Sequence, residues 1–329
     1  MGTEEMEEMV FFQSIESVIS IILMIGLGYV LKSLGWFDEQ FGGSISSLIT
    51  KVALPASIFV SVMKNLTKSS LIELSGSLIY PIAAVIISYL IAYVLTKLLK
   101  IQPGRRGIFM NAVVNANTIF IGLPLNIALF GEASLPYFLI YYVTNTVSTW
   151  AFGVFLIAND DPTKDRTEKK TKLNWKKLLP APLLGFILAL FFLVLEIPVP
   201  DFVNSTLNYV GGIVTPLSLI YIGIVLYDAG LKSIRFDRDT IVALIGRFIL
   251  APAILIGLMV IGKYAFGAEL APLLKQTLIV QSATPMLAVL PILANEAHGD
   301  VKYATNLVTT STLLFVFVVP ILMQLIQYI

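Results

Sequence analysis

Apolar runs of about twenty residues follow one another along this chain, and two of them are interrupted midway. Asn115, Ala116, Asn117 and Thr118, with Gly122 and Pro124 beyond, break one run; Gln281, Ser282, Ala283, Thr284 and Pro285, followed by Pro291, break another. A run of that length crosses about 30 Å of hydrocarbon as a helix. Proline removes an amide donor and crowds the preceding turn, and glycine loosens the backbone further. Within a bilayer, broken backbone persists only where protein covers it or a wet cavity bathes it. The chain is thereby constrained to an all-α polytopic membrane fold with two spans broken under cover.

The rest of the composition narrows the function classes. Of 329 residues, 57% are hydrophobic and only 13% charged, about half the charge of an ordinary soluble domain. There is no cysteine, and His298 is the single histidine, so neither disulfides nor thiolate or histidine metal centres are expected. No paired carboxylates or nucleophile–base arrangement stands out, so no enzyme and no cofactor is expected. A net charge of +1 with no basic aromatic patch gives no reason to expect nucleic acid. The acidic start, Glu4, Glu5, Glu7 and Glu8, is unlike the basic start of a secretory signal.

The apolar pattern predicts ten spans, at about 13–34, 42–63, 72–98, 106–130, 135–158, 179–196, 202–227, 239–263, 270–295 and 302–327. Alternate loops divide the basic residues unevenly. One side takes Lys32, Lys97, Lys100, Arg105 and Arg106, then a basic loop with Lys164, Arg166, Lys169, Lys170, Lys172, Lys176 and Lys177, then Lys232, Arg235, Arg238 and Lys302. The other side takes only Lys64, Lys68, Lys263 and Lys275. By the positive-inside rule the first side is cytoplasmic, which leaves both termini outside a multi-pass protein of the cell membrane.

Five spans precede the basic loop and five follow it, so the second set enters the membrane with opposite orientation. Landmarks recur in order: Leu54-Pro55 with Thr215-Pro216, Pro124 with Pro291, and Val143-Thr144-Asn145-Thr146 with Val308-Thr309-Thr310-Ser311, at separations of 161, 167 and 165 residues. Three ordered landmarks near one period predict two inverted five-helix repeats, residues 1–164 and 165–329. Interrupted spans at corresponding places in two repeats are the sequence mark of a secondary transporter's binding site.

At these residues the sequence resembles the auxin efflux carrier family, the prokaryotic relatives of the plant PIN proteins. Asn117-Thr118-Ile119-Phe120-Ile121-Gly122-Leu123-Pro124 is similar to that family's first crossover motif, and Val280-Gln281-Ser282-Ala283-Thr284-Pro285 with Pro291 to its second. Leu54-Pro55, Arg247-Phe248 with Pro252, Gly28 with Gly35, and Trp150 fit as well. The proline that plant members carry before the crossover asparagine is Ala116 here, and their very long cytoplasmic loop is missing. The resemblance implies a scaffold of spans 1, 2, 6 and 7 and a mobile transport bundle of spans 3–5 and 8–10, with spans 4 and 9 crossing as broken helices. It also implies organic anions such as auxin, malate or malonate as substrates. A homodimer through the scaffold spans is the protein partner expected.

A broken helix leaves free amides and a positive dipole end in mid-membrane, which attract a carboxylate. Asn117 and Gln281 are expected to contact the substrate, with Asn115, Asn145, Ser282 and Thr284 extending the polar lining, and Gly122, Pro124, Pro285 and Pro291 shaping the breaks. The bland alternative is that these side chains satisfy freed backbone groups. Lys51 and Arg247 fall within spans, roughly 12–13 Å from the cytoplasmic ends at 1.5 Å per residue. Either could balance a substrate's charge, or snorkel, or, for Arg247, pair with Asp228. The expectation is an alternating-access carrier of a small organic anion. A proton- or sodium-coupled transporter on the same fold is the alternative, weakened because spans 5 and 9 lack acidic residues in their cores. Sodium held by neutral oxygens leaves no such signature, so a coupling ion stays unassigned. A non-transporting ligand sensor is the third reading.

Overall fold

The computed structural model describes residues 3–163, 180–230 and 234–326. The basic cluster at 164–177 and Lys232, used above to orient the chain, lie outside them.

The described chain is all-helical. In order, the helices are α1 (Thr3–Ser33), α2 (Phe41–Asn65), α3 (Leu74–Leu98), α4 (Arg106–Val114), α5 (Thr118–Phe130), α6 (Glu132–Ala158), α7 (Ala181–Val194), α8 (Asp201–Ala229), α9 (Arg238–Phe266), α10 (Pro272–Ser282), α11 (Leu290–Glu296) and α12 (Val301–Ile326). Among the described residues, α2, α3, α6, α8, α9 and α12 are each long and apolar enough to cross a membrane; α5, α7 and Ile19–Ser33 of α1 are shorter apolar helices. This is a multi-span membrane protein.

The outer surface is built for lipid. Along α3, Ile79, Ile82, Ile86, Leu90 and Tyr93 form an exposed apolar stripe, while the small residues Ala84, Ser88 and Ala92 are buried on another side. Without a hydrophobic drive between helices in lipid, close approach through small residues supplies the packing. The same device joins α1 to α8, where a Cβ on Gly223 would collide with the backbone of α1 at Ile25 and Tyr29. At one end of that pair Tyr29 meets Tyr227 edge-on, with ring centroids 5.3 Å apart, and buried Lys32 reaches Asp228 at 3.5 Å.

Two packing groups result. Helices α7 and α8 lie against α2, and α8 against α1. Separately, α3 lies against α4 and α9, α10 against α6, and α11 against α12. Helix α5 touches both groups, packing on α8 and on α6, and the groups also meet directly where α1 packs on α12 and α2 on α6.

The two expected breaks are present. The fourth expected span divides into α4 and α5 around an extended Asn115, and the ninth into α10 and α11. They touch: Ala116 and Met286 form an isolated antiparallel β-bridge, and the Asn117 amide donates to the Pro285 carbonyl at 2.8 Å.

Candidate functional site

The bridge between the breaks leaves backbone groups deep in the protein that need partners. Ala116 obtains both from one side chain. Asn145 on α6 accepts from the Ala116 amide at 2.9 Å and donates to the Ala116 carbonyl at 3.0 Å. A proline at 116 could not make the first of these bonds, so alanine in that position suits the asparagine opposite it. On the other strand, the Met286 amide donates to Ser311 of α12 at 3.2 Å.

Asn117 begins α5. Its Oδ1 accepts from the Phe120 amide at 3.2 Å, while Nδ2 is buried with no hydrogen-bond partner among the described residues. The first turn of α5, Thr118–Gly122, is a wide π-turn, and Pro124 follows at the start of the regular helix. Pro291 holds the same position in α11, and Pro285 lies in the second break itself.

A cavity of about 250 Å³ adjoins the start of α5. Asn117, Thr118, Ile119 and Phe120 form one wall, and Leu287, Ala288 and Val289, the turn leading into α11, another. Helix α6 contributes Tyr142, Asn145, Thr146, Thr149 and Trp150; Ser46, Thr50, Ala116, Pro180 and Pro182 complete the lining. None of these residues is charged. Thr149 Oγ1, like Asn117 Nδ2, is buried without a partner among the described residues. Helix geometry leaves the first amides of α5 without intrahelical acceptors, so this wall presents donors and a positive dipole end. The arrangement suits a small group rich in acceptors, a carboxylate above all.

The remaining expected site residues divide by location. Asn145 lines the cavity, although both ends of its amide are engaged by Ala116. Asn115 points elsewhere, bonded to Asn111, Tyr89 and Ser148 in a buried network. Gln281 donates to the Gly122 carbonyl at 2.8 Å, with Oε1 unpartnered, and a Cβ on Gly122 would collide with that same oxygen. Ser282 and Thr284 return their hydroxyls to Ile279 and Gln281 carbonyls in their own helix end. Lys51 is exposed and outside the cavity lining.

Arg247 does not pair with Asp228. It is wholly buried, and its guanidinium donates to the carbonyls of Val113 (3.2 Å), Val114 (2.8 Å) and Ser282. Sequence reasoning missed Tyr142, Ser46 and Thr50 as cavity residues. The placement of Tyr142, Asn145, Thr146 and Thr149 at helical spacing was the available signal for α6; nothing local marks Ser46 and Thr50.

A second cavity, of about 270 Å³, lies toward the opposite ends of α2 and α6, where Ser57, Ser61 and Glu132 line it with Asn208 and Thr215 of α8.

Comparison with known proteins matches residues 13–323 to a family model described as membrane transport protein. An uncharacterized transporter of Methanocaldococcus jannaschii is 24% identical over 297 residues, covering 90% of this chain and 93% of its own length. Another uncharacterized transporter, from Methanothermobacter thermautotrophicus, is 24% identical over 316 residues, covering 95% and 98%.

Proposed function

The chain belongs to the membrane transport protein family, which is the auxin efflux carrier family, and on that premise we propose that it carries a small organic anion across the bilayer by alternating access. The single observation that carries the reading is the uncharged cavity at the start of α5, where the buried Asn117 amide donor has no partner. A carboxylate there would accept from Asn117, from the free amides of the α5 turn and from Thr149. It would do so without a buried cation in contact, which favours release as well as capture. The volume, about 250 Å³, is just below the usual range for ligand pockets, in keeping with a small, metabolite-sized anion.

The moving parts follow the packing groups. Helices α1, α2, α7 and α8 act as the scaffold, and α3–α6 with α9–α12 as the transport bundle that holds the anion between its breaks. The halves 1–164 and 165–329 are inverted repeats, with ten spans and both termini outside. In this orientation the first cavity faces the cytoplasm, since Pro180 and Pro182 follow directly on the basic loop. The second cavity is the vestibule used when the bundle has moved. The scaffold surface is where a second copy would join to make a homodimer.

Purified protein screened by thermal shift against mono- and dicarboxylates, followed by flux of each stabilising compound in proteoliposomes, tests this. At least one carboxylate is expected both to stabilise the protein and to cross. Binding without movement would favour a ligand sensor instead.

A further inference from the structure

The two helix breaks create two positive ends and two negative ends in the middle of the protein, and only the positive ends face the cavity. The negative ends are the C-termini of α4 and α10. In each, the last carbonyls lack intrahelical donors, and each end carries roughly half an elementary negative charge. Two such ends meeting in a low-dielectric interior need a cation; in transporters with broken helices, half-helix C-termini are where a coupling ion is commonly held.

Here that position is filled by the protein. Arg247 extends from the π-turn Gly246–Leu250 of α9, and its side chain is 0% exposed. Its guanidinium donates to Val113 and Val114 at the end of α4 and to Ser282 at the end of α10. No carboxylate pairs with it among the described residues. A buried arginine held by carbonyls alone, drawn from two different half-helices and with its Nε unpartnered among the described residues, is unusual, because an unpaired buried charge is costly. It becomes intelligible when the two dipole ends, together about one negative charge, are counted as its counter-ion. The planar fork, with five donors, can reach both ends at once, as a compact ammonium cannot.

We infer that Arg247 is a resident counter-cation, a positioning residue that takes the place of an alkali ion at the paired C-terminal ends and travels with the bundle. The inference concerns the cation; its consequence, that anion transport needs no sodium or potassium bound at the breaks, rests on the carrier reading above.

The test uses the full-length purified protein, melted at equal ionic strength in N-methyl-D-glucamine, sodium and methylguanidinium chlorides. Because methylguanidinium is itself a mild denaturant, every variant is compared with wild type in the same salt. Arg247→Ala is expected to melt several degrees lower in N-methyl-D-glucamine and to recover at least half of that loss in methylguanidinium, with a smaller recovery in sodium. A loss that is the same in every salt, or no loss, would overturn the inference. Should Arg247→Ala not yield folded protein, Arg247→Gln and Arg247→Lys decide. Glutamine keeps donors without charge and lysine keeps charge without the fork. The inference requires lysine to melt above glutamine, and the reverse order would overturn it. Uptake of radiolabelled malate and malonate into wild-type proteoliposomes separates the two readings. If neither these nor any screened carboxylate crosses while the salt responses hold, the carrier reading fails and the resident cation stands. Carboxylate uptake that requires sodium upholds the carrier and sinks the resident cation.

Discussion

Three asparagines near the first break share one chemistry and hold three different positions. Asn145 closes a ring of two bonds with Ala116, Asn115 sits inside a polar network, and Asn117 keeps a free donor at the cavity. Truncation should separate them. Asn145→Ala leaves a buried amide and carbonyl unpaired and is expected to destabilise the protein by about 1–3 kcal/mol, seen as earlier thermal melting with or without ligand. Asn117→Ala removes one donor to an ionised acceptor, worth about 1.5–3 kcal/mol. It should weaken carboxylate affinity roughly tenfold or more, while loss of the Phe120 cap lowers the melting temperature without ligand by less than the Asn145→Ala loss, one bond against two. Equal carboxylate affinity in Asn117→Ala and wild type would reduce Asn117 to a cap for Phe120. The sequence marks all three as polar residues at a break, but not which has a spare hydrogen. That depends on where Ala116 and Ser148 come to lie, and residues distant in the chain decide it. Arg247 is the same lesson for a cation: its neighbour within reach by sequence reasoning was Asp228, and its true partners are carbonyls of α4 and α10.

At the scale of helices, the apolar blocks were legible as helix, six of them long enough to cross a membrane among the described residues and others as shorter apolar helices. Their internal geometry was not. Wide π-turns occur at Ile49–Ala53, Thr118–Gly122, Ser148–Gly153 and Gly246–Leu250. Three of them precede Pro55, Pro124 and Pro252 by two residues. A proline deprives the carbonyl four residues back of its donor, and that carbonyl belongs to Lys51, Phe120 or Phe248, the central residue of each turn. Stepping five residues instead of four offers the carbonyl the next amide, so the prolines widen their helices without breaking them. The turn at Ser148 has no such proline and carried no sequence signal. The close contact of α1 with α8 runs through glycine. Gly223→Leu, which places a side chain where α1's backbone passes, should lower the melting temperature by several degrees and reduce folded yield. Gly257→Leu, open to space on α9, should do neither. Similar losses for both would mean that the α1–α8 contact does not depend on close approach.

Over the whole molecule the charges are sorted by sign. Positive helix ends border an uncharged cavity, negative ends are tied to Arg247, and the two meet at the bridge between Ala116 and Met286 and where Gln281 reaches the Gly122 carbonyl. If the cation is part of the protein, an anion crosses alone, and its charge crosses the membrane field with it. Such movement is worth about 2.3 kcal/mol per charge per 100 mV, roughly a fiftyfold change in the equilibrium accumulation ratio. Proteoliposomes given a potassium diffusion potential with valinomycin provide the measurement. An inside-positive potential of about 100 mV should drive accumulation of a transported monocarboxylate, and an inside-negative one should exclude it. The bundle carries Arg247 in both directions of its movement, so it adds charge to the empty return step and none to the net cycle. Accumulation that ignores voltage and follows a pH gradient would instead mean that a proton accompanies the anion, entering at a group other than the paired helix ends.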